Sequence, residues 1–76
     1  MISFASLKPG DQGKICGFFP GDLVYRQKLL AMGLTPNTIF QVIRQAPLGD
    51  PVQIRVRQVD LCLRKSEAAI LQIEKL

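Results

Sequence analysis

Arg26-Gln27-Lys28-Leu29-Leu30-Ala31-Met32-Gly33, read with the later Ala46-Pro47-Leu48-Gly49-Asp50-Pro51, decides the architecture of this chain. The first stretch reads as a short helix closed by a glycine. Asp22 offers a carboxylate to the free amides of a first helical turn, Leu23 to Met32 runs without proline or glycine, and Gly33 stands where a left-handed residue ends a helix. The second stretch reads as a rigid turn between two strands. A lone helix set into an otherwise β-patterned chain predicts a small barrel with one decorated face. Such a barrel has room for a docking surface and little room for an active site.

The pattern on either side agrees. Leu7 to Gly13 carries turn chemistry in Pro9-Gly10, Lys14 to Phe19 reads as a strand, and Pro20-Gly21 ends it. Leu34-Thr35-Pro36-Asn37 is a second turn. Thr38 to Gln45 is β-rich, with Phe40, Val42 and Arg44 on one side and Ile39, Gln41, Ile43 and Gln45 on the other. Val52, Ile54 and Val56 alternate with Gln53, Arg55 and Arg57, a half-buried strand with its basic side outward. Gln58-Val59-Asp60 reads as a tight turn, Leu61 to Arg64 as a short strand, Ser66 to Ala69 as one helical turn capped by Ser66, and Ile70 to Glu74 as the last strand. The expectation is a mainly β barrel of about five strands, with one inserted helix at about 22–32 and a helical turn near 66–69.

Seventy-six residues predict a single domain spanning 1–76. Apolar residues make up 47% of the chain, more than so small a body hides, so some apolar surface is expected outside. The net charge of +4 permits contact with nucleic acid or acidic surfaces without demanding it. The opening Met1 to Ser6 lacks the pattern of a signal peptide, and no apolar run reaches the ~18 residues of a membrane span. A soluble, cytoplasmic protein is the expectation. Cys16 and Cys62 allow one disulfide on count alone, yet free thiols are expected, because small secreted scaffolds usually carry more cysteines. Each cysteine reads as buried and inert.

Leu7, Gly10, Gly13, Arg26, Leu29, Met32-Gly33-Leu34-Thr35-Pro36, the Ala46 to Pro51 loop and Leu63-Arg64-Lys65-Ser66-Glu67-Ala68 occur in an order and spacing that resembles the FeoA family. The resemblance covers about Leu7 to Ile73. It implies an SH3-like barrel with an inserted helix, no catalytic activity, and an accessory role in ferrous-iron uptake through the cytoplasmic part of the FeoB transporter. Asn37 stands where the family usually has glycine, and asparagine tolerates the same left-handed backbone. A related domain ends some metal-dependent repressors, but no DNA-reading helix pair precedes it in this sequence.

The residues themselves argue against chemistry. There is no histidine, the usual acid–base group near neutral pH. Asp11, Asp22, Asp50, Asp60 and Glu67 are scattered among turns and caps, so no catalytic residue is assigned. Iron(II) needs a defined cluster of imidazole, carboxylate or thiolate, and none is visible, so neither a metal site nor a cofactor is predicted. The link to transition-metal ions comes through the transport role alone.

On a helical wheel of ~100° per residue, Tyr25, Leu29 and Met32 form one apolar stripe. Leu23 and Leu30 form another roughly opposite, with Arg26 and Lys28 between. A barrel covers one stripe, and the other is left for a partner or for flanking loops; the sequence leaves open which lies outside. Leu48 has little structural work at the tip of its loop, and the two prolines reduce the loop's freedom. Tyr25, Arg26, Leu29, Leu30, Met32, Pro47 and Leu48 are the expected partner contacts. The alternative function is a basic barrel that binds nucleic acid through Arg44, Arg55, Arg57, Arg64 and Lys65, a reading weakened by the lack of interleaved aromatics. No small-molecule substrate is expected, and the apolar stripes and edge strands allow a weak homo-oligomer.

Overall fold

A computed structural model describes residues 4–76. A 3₁₀ turn, Phe4–Ser6, leads into five strands and two helices. In chain order these are β1 (Gln12–Phe18), α1 (Leu23–Ala31), β2 (Ile39–Gln45), β3 (Val52–Val56), β4 (Val59–Leu63), α2 (Lys65–Ala68) and β5 (Leu71–Lys75). The strands form one antiparallel sheet in the order β4-β3-β2-β1-β5. Its inner face, built by Ile15, Phe40, Val42, Val52, Ile54, Leu63, Leu71 and Ile73, closes over Phe4, Leu7, Leu29 and Leu34. The rings of Phe4 and Phe40 stack with centroids 5.9 Å apart.

Two β-bulges decide which side chains reach that core. In β1 the pairing with β5 slips between Ile15 and Gly17. A bulge adds one residue and so exchanges the two faces of the strand beyond it. Ile15 points inward before the slip and Phe18 packs against the core after it. In β2 the slip falls between Val42 and Arg44. Arg44 therefore leaves the face it would share with Phe40 and Val42, and stands opposite the outward Gln53. Gln45 turns partly inward instead, donating from Nε2 to the Leu7 carbonyl at 3.2 Å. Simple alternation misassigns both residues because it carries no bulge.

Other expectations shift for local reasons. The β3–β4 turn is Arg57-Gln58, with φ of 51° and 68°, and Val56 pairs with Val59 across it. Val59 and Asp60 thus belong to β4 and not to the turn. Two successive positive φ values match the twist of a two-residue hairpin, but the sequence lacks the Asn-Gly that signals one. α2 begins at Lys65, so Ser66 lies within it and does not cap it. The N–H of Lys65 donates to Asp50 Oδ1 at 3.0 Å, a carboxylate supplied from a distant loop. Asn37 adopts φ 72° in the Thr35–Thr38 turn, as expected for asparagine in that place. Both cysteines are exposed thiols with no disulfide. Cys62 pairs with the outward Gln53 of β3, and Cys16 lies in the β1 bulge, so burial was the wrong expectation for each.

Gly13 marks a close approach. A Cβ there would lie 2.8 Å from Phe40 Cζ and 3.0 Å from Ile73 Cγ2, so a side chain would collide with the core.

A candidate docking surface

α1 starts where Asp22 Oδ1 accepts from the N–H groups of Val24 (2.9 Å) and Tyr25 (3.2 Å). It ends in a Schellman motif. Gly33, at φ 89°, donates to the Leu30 carbonyl, and Leu34 N–H reaches back to the Leu29 carbonyl. Leu29 and Leu34 are both fully buried, which locks this end of the helix to the core.

That lock sets the helix's rotation. Leu29 points into the core, and Tyr25 and Met32 are half-buried beside it. Leu29 is therefore excluded as a partner contact: at 0% exposure it has no surface to offer. The outer side carries Leu23 (66% exposed), Val24 (71%) and Leu30 (36%). Leu23 and Leu30 are seven residues apart and so fall on one line of the helix surface. Arg26 stands beside them with its guanidinium 5.4 Å from the centre of the Phe18 ring.

The sequence pointed to the helix but missed the strand end that extends its face. Phe18, Phe19 and Pro20 run from β1 into the start of α1, and with Leu23 and Arg26 they line a hollow of about 320 Å³. Phe19 is 44% exposed. Two adjacent aromatics just before Pro20-Gly21 were the available signal. They read as a strand end because the bulge that tucks Phe18 inward and leaves Phe19 outside is silent in the sequence.

At the other candidate region Pro47 is exposed and Leu48 is 94% exposed, the highest value among the large apolar residues outside. α2 joins the two regions. Asp50, from the Leu48 loop, caps its first N–H, and Glu67 pairs with Lys28 of α1. The Lys28 ammonium foremost, helped by the Arg64 N–H, holds the Glu67 carboxyl below the usual carboxylate range although burial opposes this. A second hollow of about 320 Å³ lies by this loop, lined by Arg44, Pro47, Pro51, Gln53 and Cys62.

The basic strand face is largely occupied with itself. Arg55 donates to both oxygens of Asp60, at 2.7 and 3.2 Å, and their hydrogen bonds lower the Asp60 pKa and raise that of Arg55. Arg44 Nε donates to Gln53 Oε1 at 2.8 Å. Arg57, Arg64 and Lys65 are exposed. Among the described residues no three His, Cys, Asp or Glu side chains converge to hold a metal ion, and no helix is long and apolar enough to cross a membrane.

The geometry defines a small, mainly β protein whose inserted helix shows one apolar side to solvent. Its architecture matches that of Stenotrophomonas maltophilia FeoA complexed with zinc, described as a procaryotic SH3 domain protein, with a TM-score of 0.81 over 97% of this chain and 91% of that one; at 16% identity the likeness concerns the fold. The FeoA-like protein of Clostridium acetobutylicum superposes with a TM-score of 0.89 at 33% identity, covering 99% of this chain and 86% of its own. The FeoA domain model matches residues 2–75, and the chain belongs to the FeoA family. An Fe(2+) transport protein A/Fe(2+) transporter FeoB fusion protein of Porphyromonas gingivalis is 34% identical over 73 residues. That match takes in 96% of this chain but only 8% of the relative's length. In that relative the matched domain and the FeoB transporter are parts of one polypeptide.

Proposed function

We propose that this chain is a non-catalytic accessory protein of ferrous-iron uptake that docks on the cytoplasmic part of an FeoB-type transporter and tunes its nucleotide hydrolysis or its assembly. The observation that carries the reading is the outer side of α1, where Leu23, Val24 and Leu30 face solvent while Leu29 anchors the helix from within. Large apolar side chains grouped on one face mark an interaction surface. A relative in which this domain and the transporter are one polypeptide supports the choice of partner. Leu48, Pro47 and the rims of Tyr25 and Met32 extend the contact, and the chain contributes binding energy without chemistry. The chain works in the cytoplasm, as a single domain.

The test uses the purified chain and the cytoplasmic part of the transporter from the same cells, with binding followed by calorimetry. Leu30→Ser combined with Leu48→Ser should leave the circular dichroism spectrum unchanged, abolish measurable binding, and reduce iron uptake in complemented cells. Unchanged binding and uptake in the folded double variant would refute the reading.

A further inference from the structure

The hollow between the end of β1 and the start of α1 is mainly apolar, with Asp22 and Arg26 as its two charged residues. Phe18, Phe19, Pro20 and Leu23 form its walls, and Arg26 projects its guanidinium there over the face of Phe18. The ion pairs among the described residues leave this arginine without one, as they do Lys8, Arg44, Arg57, Arg64 and Lys65; what sets Arg26 apart is its place in an apolar hollow. The chain has six carboxylates, and each is engaged. Asp11 pairs with Lys75, Asp60 with Arg55, Glu67 with Lys28 and Glu74 with Lys14. Asp50 caps α2, and Asp22 caps α1. Arg26 has no carboxylate partner among the described residues. Asp22 lines the same hollow, but its Oδ1 is held by two amides and its charge faces the positive end of the helix.

We infer that this hollow recognises a protein segment that places an Asp or Glu carboxylate beside a large apolar side chain, the carboxylate taken by Arg26 and the apolar group by Phe19, Pro20 and Leu23. The inference rests on the docking reading above and names what the partner must present there. Charge complementarity argues for it. A guanidinium offers a planar pair of N–H donors that matches a carboxylate, and one stacked on an aromatic ring loses less freedom on binding. The hollow's volume is at the lower end of ligand cavities, ~300 Å³, which suits one or two side chains. A lipid surface is the poorer fit. Membrane-binding sites gather ~4–8 basic residues, whereas this hollow holds one cation in a concave setting.

The experiment measures the affinity of the intact chain for the cytoplasmic part of the transporter, with Arg26→Gln, Arg26→Lys and Leu23→Ser variants whose folding is checked by circular dichroism. Arg26→Gln should weaken binding by about 10- to 100-fold, the loss expected for a charge-assisted bond, and Arg26→Lys by less. Neutralising one surface carboxylate of the transporter, Asp to Asn or Glu to Gln, should reproduce the loss and add nothing to Arg26→Gln. Were Arg26→Gln to bind within about twofold of wild type while Leu23→Ser fails to bind, carboxylate recognition falls and the docking reading stands. If the wild-type chain does not bind the transporter at all, both fall. Retention on vesicles of phosphatidylcholine and phosphatidylglycerol, lost in Arg26→Gln, would assign the hollow to a lipid headgroup and overturn the inference.

Discussion

Replacing Leu29 by alanine tests the rotation of α1, on which the assignment of its outer face depends. Leu29 is the only fully buried side chain of a nine-residue helix. Deleting a buried leucine to alanine removes its transfer energy and leaves a cavity, at a combined cost of about 2–5 kcal/mol. A chain of this length has a total stability of about 4–11 kcal/mol. The substitution therefore removes a large share of the whole and should lower Tm by about 10 °C or more. Leu23→Ser, two turns away on the opposite side, should change stability by no more than about 0.5 kcal/mol, because Leu23 is 66% exposed. Urea unfolding followed by far-UV circular dichroism gives both values. Fluorescence of Tyr25, the chain's single tyrosine and half-buried on the Leu29 side, reports the helix directly in a protein without tryptophan. A Leu29→Ala cost below about 1 kcal/mol together with a larger cost for Leu23→Ser would mean that α1 packs the other way round and that the proposed docking face is its core face.

Three further outcomes follow from local geometry. Gly13→Ala should destabilise by about 1–3 kcal/mol in the same unfolding assay, since its Cβ would meet Phe40 and Ile73. Replacing Arg57-Gln58 by Asn-Gly should stabilise by up to about 1 kcal/mol, because both positions hold a positive φ that those residues adopt at lower cost. Glu67→Gln should cost on the order of 1–2 kcal/mol at neutral pH, the lower part of the range for charged hydrogen bonds, since Lys28 remains half exposed. It should also flatten the acid side of the stability curve. The Glu67 carboxyl is lowered in the folded state, so its contribution is complete above the unfolded value of ~4.3 and disappears as pH falls through the lower folded value. Urea midpoints of wild type and variant that run parallel from neutral pH to below pH ~4 would show that Glu67 carries none of this dependence.

The candidate surface was legible in part. The helix wheel separated the stripe of Tyr25, Leu29 and Met32 from that of Leu23 and Leu30, but hydrophobicity is the same on both. The choice between them was made by the Gly33 turn, which draws Leu34 and Leu29 together in the core. Leu48 was correctly read as outside, because a loop tip between prolines has no neighbours to bury it. Asp50 was read as one of the carboxylates scattered among turns and caps. It accepts from the first amide of α2, fifteen residues further on.

Sequence alone determined what is local: the N-cap of α1 and its glycine stop, the left-handed turn at Asn37, the inward alternation of Val52, Ile54 and Val56, and the family to which these motifs belong. Each depends on groups within a few residues, where side-chain chemistry and backbone φ act directly. Tertiary structure decided the rest. Bulges at Cys16 and Ile43 reversed strand faces: the second turned Arg44 outward, and the first turned Phe18 inward, where it lines the hollow beside Arg26. Pairing of Glu67 with Lys28, 39 residues apart, and of Asp50 with the start of α2 joined the two candidate contact regions. A bulge is a choice of register between two strands and an ion pair a meeting of two distant segments, so neither is encoded in any single stretch of the chain.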